Sequence, residues 1–128
     1  MILVVEDEAM VAILIEEALT DAGYEVALAY NGPAAMQSID TQIDDMDALI
    51  TDVRLGGPIT GWDVAKHARE LSPEVPVIYA SGDSSGDWRR HGVEGSIMLT
   101  KPYSMDRILA LVTQLVSSVQ KQVPLAAS

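Results

Sequence analysis

Two hydrophobic rhythms alternate along the chain. Ile2 to Val5 is an unbroken apolar run of the length expected for a strand buried on both faces. Val11, Leu14, Ile15, Ala18, Leu19 and Ala22 then recur at helical spacing, and Gly23 stands where a left-handed C-terminal cap belongs. Glu25 to Ala29 reads as the next strand, Pro33 to about Asp40 as a helix with proline in its first turn, and Ala48 to Thr51 as another buried strand. Beyond a glycine-rich loop, Trp62 to Leu71 is helical, and Val75 to Ala80 is the following strand, its entry marked by Pro73 and Pro76. The segment Gly82 to Gly92 is rich in Gly, Ser, Asp and Arg, so a fourth helix there should be short. Gly95 to Leu99 is the fifth strand. Ser104 can cap the last helix, in which Ile108, Leu111, Val112, Leu115, Val116 and Val119 form one apolar stripe.

Strands that alternate with helices imply right-handed crossovers, and hence a parallel sheet covered on both faces: an α/β, doubly wound sandwich of five βα units. In such a fold, residues just past the carboxyl ends of the strands converge on one crevice, however far apart they lie in sequence.

The length of 128 residues fits one domain, expected over residues 1–121 with a C-terminal tail at 122–128. A net charge of −11 argues against a sequence-independent grip on nucleic acid and against anionic membrane surfaces, both of which are bound through Lys and Arg. The absence of cysteine excludes disulfides, thiolate zinc and thiol catalysis, and a cytoplasmic setting is expected. Glu6, Asp7 and Glu8 interrupt the first apolar run at once, so neither a targeting segment nor a membrane span is expected. His67 and His91 have no ligand partner at metal spacing and read as surface residues, the six methionines mostly as core filler, and Trp88 as an anchor for its segment.

The strand ends carry the chemistry. Strand one ends in Glu6-Asp7, strand three in Asp52, strand four in Ser81 and strand five in Thr100-Lys101-Pro102. Three carboxylates gathered in one crevice raise one another's proton affinity and cost stability unless cations offset them. Lys101 offsets one of the three, and a divalent ion would neutralise the rest. The candidate donors are all oxygens, which favours a hard ion that keeps its waters: magnesium, with manganese as a substitute. Each residue alone has a plainer role. Glu6-Asp7-Glu8 is favourable charge at a helix N-terminus, Asp52 can cap a loop, and Lys101 can be a solvated lysine before a proline turn. Their joint appearance at four strand ends is what points to a single site.

This constellation resembles the receiver domains of response regulators in two-component signalling, over nearly the whole chain. The resemblance implies a flavodoxin-like sheet of order 2-1-3-4-5. It also implies that Glu6 and Asp7 bind magnesium, Asp7 directly and Glu6 through water, with Asp52 and the main-chain carbonyl of Arg54 completing the metal site. Asp52 would accept the phosphoryl group, Ser81 would contact it and Lys101 would pair with it. A histidine kinase or histidine phosphotransfer protein is then the expected donor, and an unidentified protein the downstream partner. The implied activity is self-directed phosphoryl transfer and hydrolysis, not an enzyme acting on other substrates. With no room for an output domain, the chain is expected to be a single-domain regulator. It would work by protein contact or phosphorelay, as a monomer or weak dimer, with no nucleic acid or membrane partner. A pseudo-receiver scaffold that is never phosphorylated, and a receiver piece of a larger regulator or hybrid kinase, both stay open.

Rival chemistries fit less well. A haloacid-dehalogenase-like phosphatase needs a second aspartate two residues after its nucleophile, where this chain has Arg54. A flavodoxin needs a hydroxyl-rich phosphate loop after strand one, where Glu6-Asp7-Glu8 would repel the cofactor. Gly56-Gly57 lacks the lysine and spacing of a nucleotide-binding loop. There are two departures from the receiver pattern. The loop from Asp52 to Gly61 is about one residue longer than is common. Met98 also stands where many receivers carry a switching Tyr or Phe, which resembles a subgroup of stand-alone receivers lacking that aromatic. Without it, the segment Gly82 to Gly92, anchored by Trp88, is the expected two-state element.

Overall fold

The computed structural model describes residues 1–82 and 85–121. In chain order the elements are β1 (Ile2–Val5), α1 (Ala9–Asp21), β2 (Val26–Ala29), α2 (Gly32–Gln42), β3 (Ala48–Asp52), α3 (Gly61–Leu71), β4 (Val77–Ser81), α4 (Ser85–His91), β5 (Ile97–Thr100) and α5 (Met105–Lys121), with one 3-10 turn at Ile43–Asp45. The strands form one parallel sheet of order β2-β1-β3-β4-β5, in agreement with the doubly wound expectation.

Two packed layers follow from the period-two alternation of strand side chains. Ile2, Val4, Ile50 and Ile78 meet Ile15 and Leu19 of α1 and Ile108, Leu111, Val112 and Val116 of α5. On the opposite face, Leu3, Val5, Leu49, Val77 and Tyr79 meet Ala35 and Ile39 of α2 and Val64, Ala65 and Ala68 of α3. Every residue of β1, β3 and β4 is buried, which is why these strands read as continuous apolar runs rather than as alternation.

The caps set the element boundaries. Gly23, with φ of +97°, follows α1 in the left-handed conformation. Asn31 Oδ1 accepts the Ala34 N–H at 2.8 Å to open α2. Thr60 and Asp63 form a reciprocal capping box at the start of α3, and Ser104 Oγ accepts the Arg107 N–H at 3.1 Å at the start of α5.

Several boundaries differ from the sequence expectation. β2 starts at Val26, with Glu25 contributing only its carbonyl to the Ile2 N–H. α2 continues past Asp40 to Gln42, and Thr41 Oγ1 folds back onto the Gln37 carbonyl at 3.0 Å. β4 starts at Val77, not Val75, because Val75 is taken up by a turn, its N–H bonding to Ser72 and its carbonyl accepting from Arg69. β5 starts at Ile97, since Gly95 sits at a φ of +73° and Ser96 N–H closes a turn onto Val93.

α4 is short, at seven residues. Asp83 and Ser84, the expected tail at 122–128 and the side chain of Val119 lie outside the described residues. The C-terminal half of the Gly82–Gly92 segment is anchored as expected: Trp88 packs on the core and its Nε1–H donates to Ser96 Oγ at 2.9 Å. His67 is not a free surface residue, because its Nε2 lies 2.6 Å from Asp40 Oδ1, linking α3 to α2, whereas His91 is exposed. Among the methionines only Met46 is buried. Met1, Met36, Met98 and Met105 flank the core, and Met10 stands 77% exposed on α1. No helix among the described residues is long and apolar enough to cross a membrane.

Candidate functional site

The sheet places the site by extending its own ladder past the strand ends. Glu6 N–H donates to the Ala29 carbonyl at 3.0 Å, Val53 N–H to Ala80 at 3.2 Å, and Lys101 N–H to Ser81 at 2.8 Å. Asp52, the last residue of β3, is thereby fixed on the central strand between β1 and β4. The Lys101–Pro102 peptide bond is cis.

Glu6, Asp7 and Asp52 come together, each with a carboxylate oxygen within 4.8 Å of the others. Glu6 and Asp52 are buried and Asp7 is exposed, so the cluster opens to solvent through Asp7. Lys101 Nζ lies 3.1 Å from Asp52 Oδ2 and 3.8 Å from Glu6 Oε2. The Arg54 N–H points to Asp52 Oδ1 at 3.4 Å, and the Glu8 N–H to Glu6 Oε1 at 3.2 Å. Asp7, Asp52, Arg54, Ser81 and Lys101 line one crevice, together with Glu8 and Gly82. The acidic run contained the signal for Glu8, which as part of that run reads only as charge at the start of α1.

The electrostatics reflect the crowding of acids. Burial, and then the charge of Asp52, push the Glu6 carboxyl up from 4.5 to about 7. Burial works to lower the proton affinity of Lys101, but the hydrogen bond to Asp52, with the charges of Asp52 and Glu6, outweighs it and holds the ammonium above its ordinary range. Burial likewise raises Tyr103, two residues beyond Lys101. Burial is the larger cause of the Glu6 shift, and repulsion from Asp52 adds to it. Three oxygen donors within reach of one point are the donor set for a small hard divalent cation.

A family model described as the response regulator receiver domain matches residues 2–113. The chain belongs to this receiver family. The receiver is 36% identical to a response regulator receiver protein from Sinorhizobium medicae, whose crystal structure it matches with a TM-score of 0.87 over 91% of this chain and 94% of that one. It is 31% identical to the receiver domain of the hybrid histidine kinase CckA, with a TM-score of 0.77 over 90% of this chain and 97% of that one. Among curated proteins it is 37% identical over 113 residues to the uncharacterized transcriptional regulatory protein YrkP of Bacillus subtilis, covering 87% of this chain and 47% of that relative. The receiver thus spans about half the length of these curated relatives, or somewhat less.

Two glycines support the site in ways sequence reasoning did not reach. A Cβ on Gly61 would overlap the Asp52 carbonyl oxygen, so only glycine lets the first turn of α3 approach the end of β3. Gly56, at a φ of +74°, turns the loop after β3 beside Asp7, with its Cβ position 3.6 Å from Asp7 Oδ2.

Proposed function

We propose that this receiver accepts a phosphoryl group on Asp52 from a histidine kinase or histidine phosphotransfer protein, and later loses it to water. The observation that carries this reading is the Asp52 carboxylate at the end of the central strand, 3.1 Å from Lys101 Nζ and grouped with the carboxylates of Glu6 and Asp7. In the transfer, an Asp52 oxygen forms the new P–O bond as the P–N bond of the phosphohistidine breaks, and the imidazole takes the electron pair. Lys101 follows the developing charge onto a phosphoryl oxygen, and the Ser81 hydroxyl hydrogen-bonds another.

Glu6, Asp7 and Asp52, with the main-chain carbonyl of Arg54, would hold magnesium, or manganese in its place. When bound, the ion offsets the negative charge of the incoming phosphoryl oxygens. The acyl phosphate formed is labile, and water aligned in the same crevice removes it. The unit is residues 1–121, and its output is protein contact or phosphorelay. Its net charge of −11 disfavours binding to nucleic acid by this segment itself.

A second reading, a receiver belonging to a longer regulator, is favoured by the share of the curated relatives that the chain spans, YrkP among them. Both readings require Asp52 to be phosphorylated; a scaffold that is never phosphorylated does not. Intact-mass analysis after incubation with acetyl phosphate and magnesium separates both readings from such a scaffold. One added phosphoryl group is expected on the wild type, and none on Asp52→Asn or in the presence of chelator. Equal labelling of both proteins, or of neither, overturns the assignment.

A further inference from the structure

Among the described residues, one buried side-chain polar atom has no hydrogen-bond partner: the hydroxyl of Tyr103. Two other polar aromatics packed on the core are satisfied. Tyr79 OH accepts the Val93 N–H at 3.1 Å, and Trp88 donates to Ser96. A buried hydroxyl without a partner loses its bonds to water and gains nothing in return, so the inward position of Tyr103 carries a standing penalty. Its ring nevertheless packs against the α1 and α5 layer, which is what holds it there.

The position of Tyr103 in the chain ties it to the site. It follows Lys101 by two residues and directly precedes Ser104, the N-cap of α5. Upstream, the backbone of Lys101 is held to Ser81; downstream, Ser104 is held to α5. Rotation of the Tyr103 side chain is therefore the soft coordinate of this short link. Tyr103 also lines a groove with Val11, Leu14, Pro102 and Met105, and Glu8 and Lys101 are shared between that groove and the phosphoacceptor crevice. The C-terminal end of α4, by contrast, is pinned by Trp88 to Ser96, by Tyr79 to Val93 and by Arg69 to the Glu94 carbonyl at 2.7 Å.

We propose that Tyr103 is a two-state element of this receiver: its ring lies inward, with the hydroxyl unsatisfied, while Lys101 pairs with Asp52, and swings outward, with the hydroxyl in water, when Lys101 engages a phosphoryl group. This rests on Asp52 being the phosphoacceptor. The unsatisfied hydroxyl keeps the two positions close in free energy, so a small displacement of Lys101 is enough to change their populations. The outward swing removes one wall of the groove that Tyr103 lines with Val11, Leu14 and Met105, and so alters the surface beside the crevice without an aromatic at position 98.

The test is fluorine NMR of the full chain labelled with 3-fluorotyrosine, the Tyr103 resonance being assigned by its absence in Tyr103→Phe. Spectra are compared in magnesium alone and in magnesium with beryllofluoride, an acyl phosphate mimic. The expected result is that Tyr103 gains a solvent isotope shift between H2O and D2O only with beryllofluoride, while Tyr79 keeps its buried signature and Asp52→Asn shows no change. An unmoved Tyr103 in a sample whose Asp52 has bound beryllofluoride overturns the inference and leaves the phosphoacceptor assignment standing. Failure of Asp52 to bind it at all overturns both. Tyr103→Phe, which deletes the unsatisfied oxygen, is expected to raise the urea midpoint of the metal-free protein. A lowered midpoint would mean that the hydroxyl has a partner, and would overturn the inference.

Discussion

Gly61 and the carbonyl of Asp52 are packed so closely that any side chain at position 61 would overlap the oxygen. The N-terminus of α3 is thus seated directly on the backbone of the candidate nucleophile, with the Gly61 N–H bonded to the Val53 carbonyl at 2.8 Å. Gly61→Ala is expected to destabilise the protein by about 1–3 kcal/mol, the ordinary range for overpacking, and to slow labelling of Asp52 by acetyl phosphate. Gly57→Ala, in the same loop but with nothing within 4 Å of its Cβ position, is expected to change stability by no more than about 0.5 kcal/mol. Urea midpoints and labelling rates of the two variants check this; equal behaviour would contradict it.

The raised pKa of Glu6 makes a prediction about pH. Between 4.5 and about 7 the folded, metal-free chain keeps a proton on Glu6 that the unfolded chain has released. The native state binds more protons in that window, so this group makes stability fall as pH rises through it, with no further change above. The loss is at most on the order of 3 kcal/mol. Wild type and Glu6→Gln, unfolded in urea at a series of pH values, isolate the effect. The difference between them should grow from pH 4.5 to 7, and a constant difference would contradict the burial and Asp52 repulsion invoked here.

Asp7 and Lys101 should separate cleanly. Asp7 is the exposed member of the carboxylate cluster and brings both a ligand and a charge, whereas Lys101 brings only a compensating charge on Asp52 and Glu6. In a magnesium titration, Asp7→Ala is expected to lose tight binding and Lys101→Ala to retain it. Without metal the stabilities should move in opposite senses. Asp7→Asn relieves repulsion and raises the urea midpoint, while Lys101→Ala leaves two buried carboxylates facing each other and lowers it. Indistinguishable titrations would contradict these roles.

Much of this was legible in the chain itself because both the fold and the site residues leave local marks. Ile2–Val5, Ala48–Asp52 and Val77–Ser81 are buried on both faces and so appear as apolar runs, and Asp52 and Ser81 stand at the ends of two of them. The less legible features depend on contacts between distant residues. Nothing near Gly61 announces that its missing side chain makes room for Asp52, and nothing near His67 announces Asp40. The strands at Val77 and Ile97 start later than the apolar pattern implies because Arg69 and Val93 capture the backbone groups just before them. The unsatisfied hydroxyl of Tyr103 has no sequence signature at all, since satisfaction is a property of surroundings.

Borohydride trapping reads the conversion of the Asp52 carboxylate to an acyl phosphate at the residue itself. The protein is incubated with acetyl phosphate and magnesium, reduced with borohydride and digested, and the peptide containing position 52 is sequenced by mass spectrometry. Borohydride reduces an acyl phosphate to the alcohol, so homoserine is expected at position 52, and none there when chelator replaces magnesium. Homoserine at another aspartate, or an unreduced Asp52 in protein that carries a phosphoryl group, would contradict it.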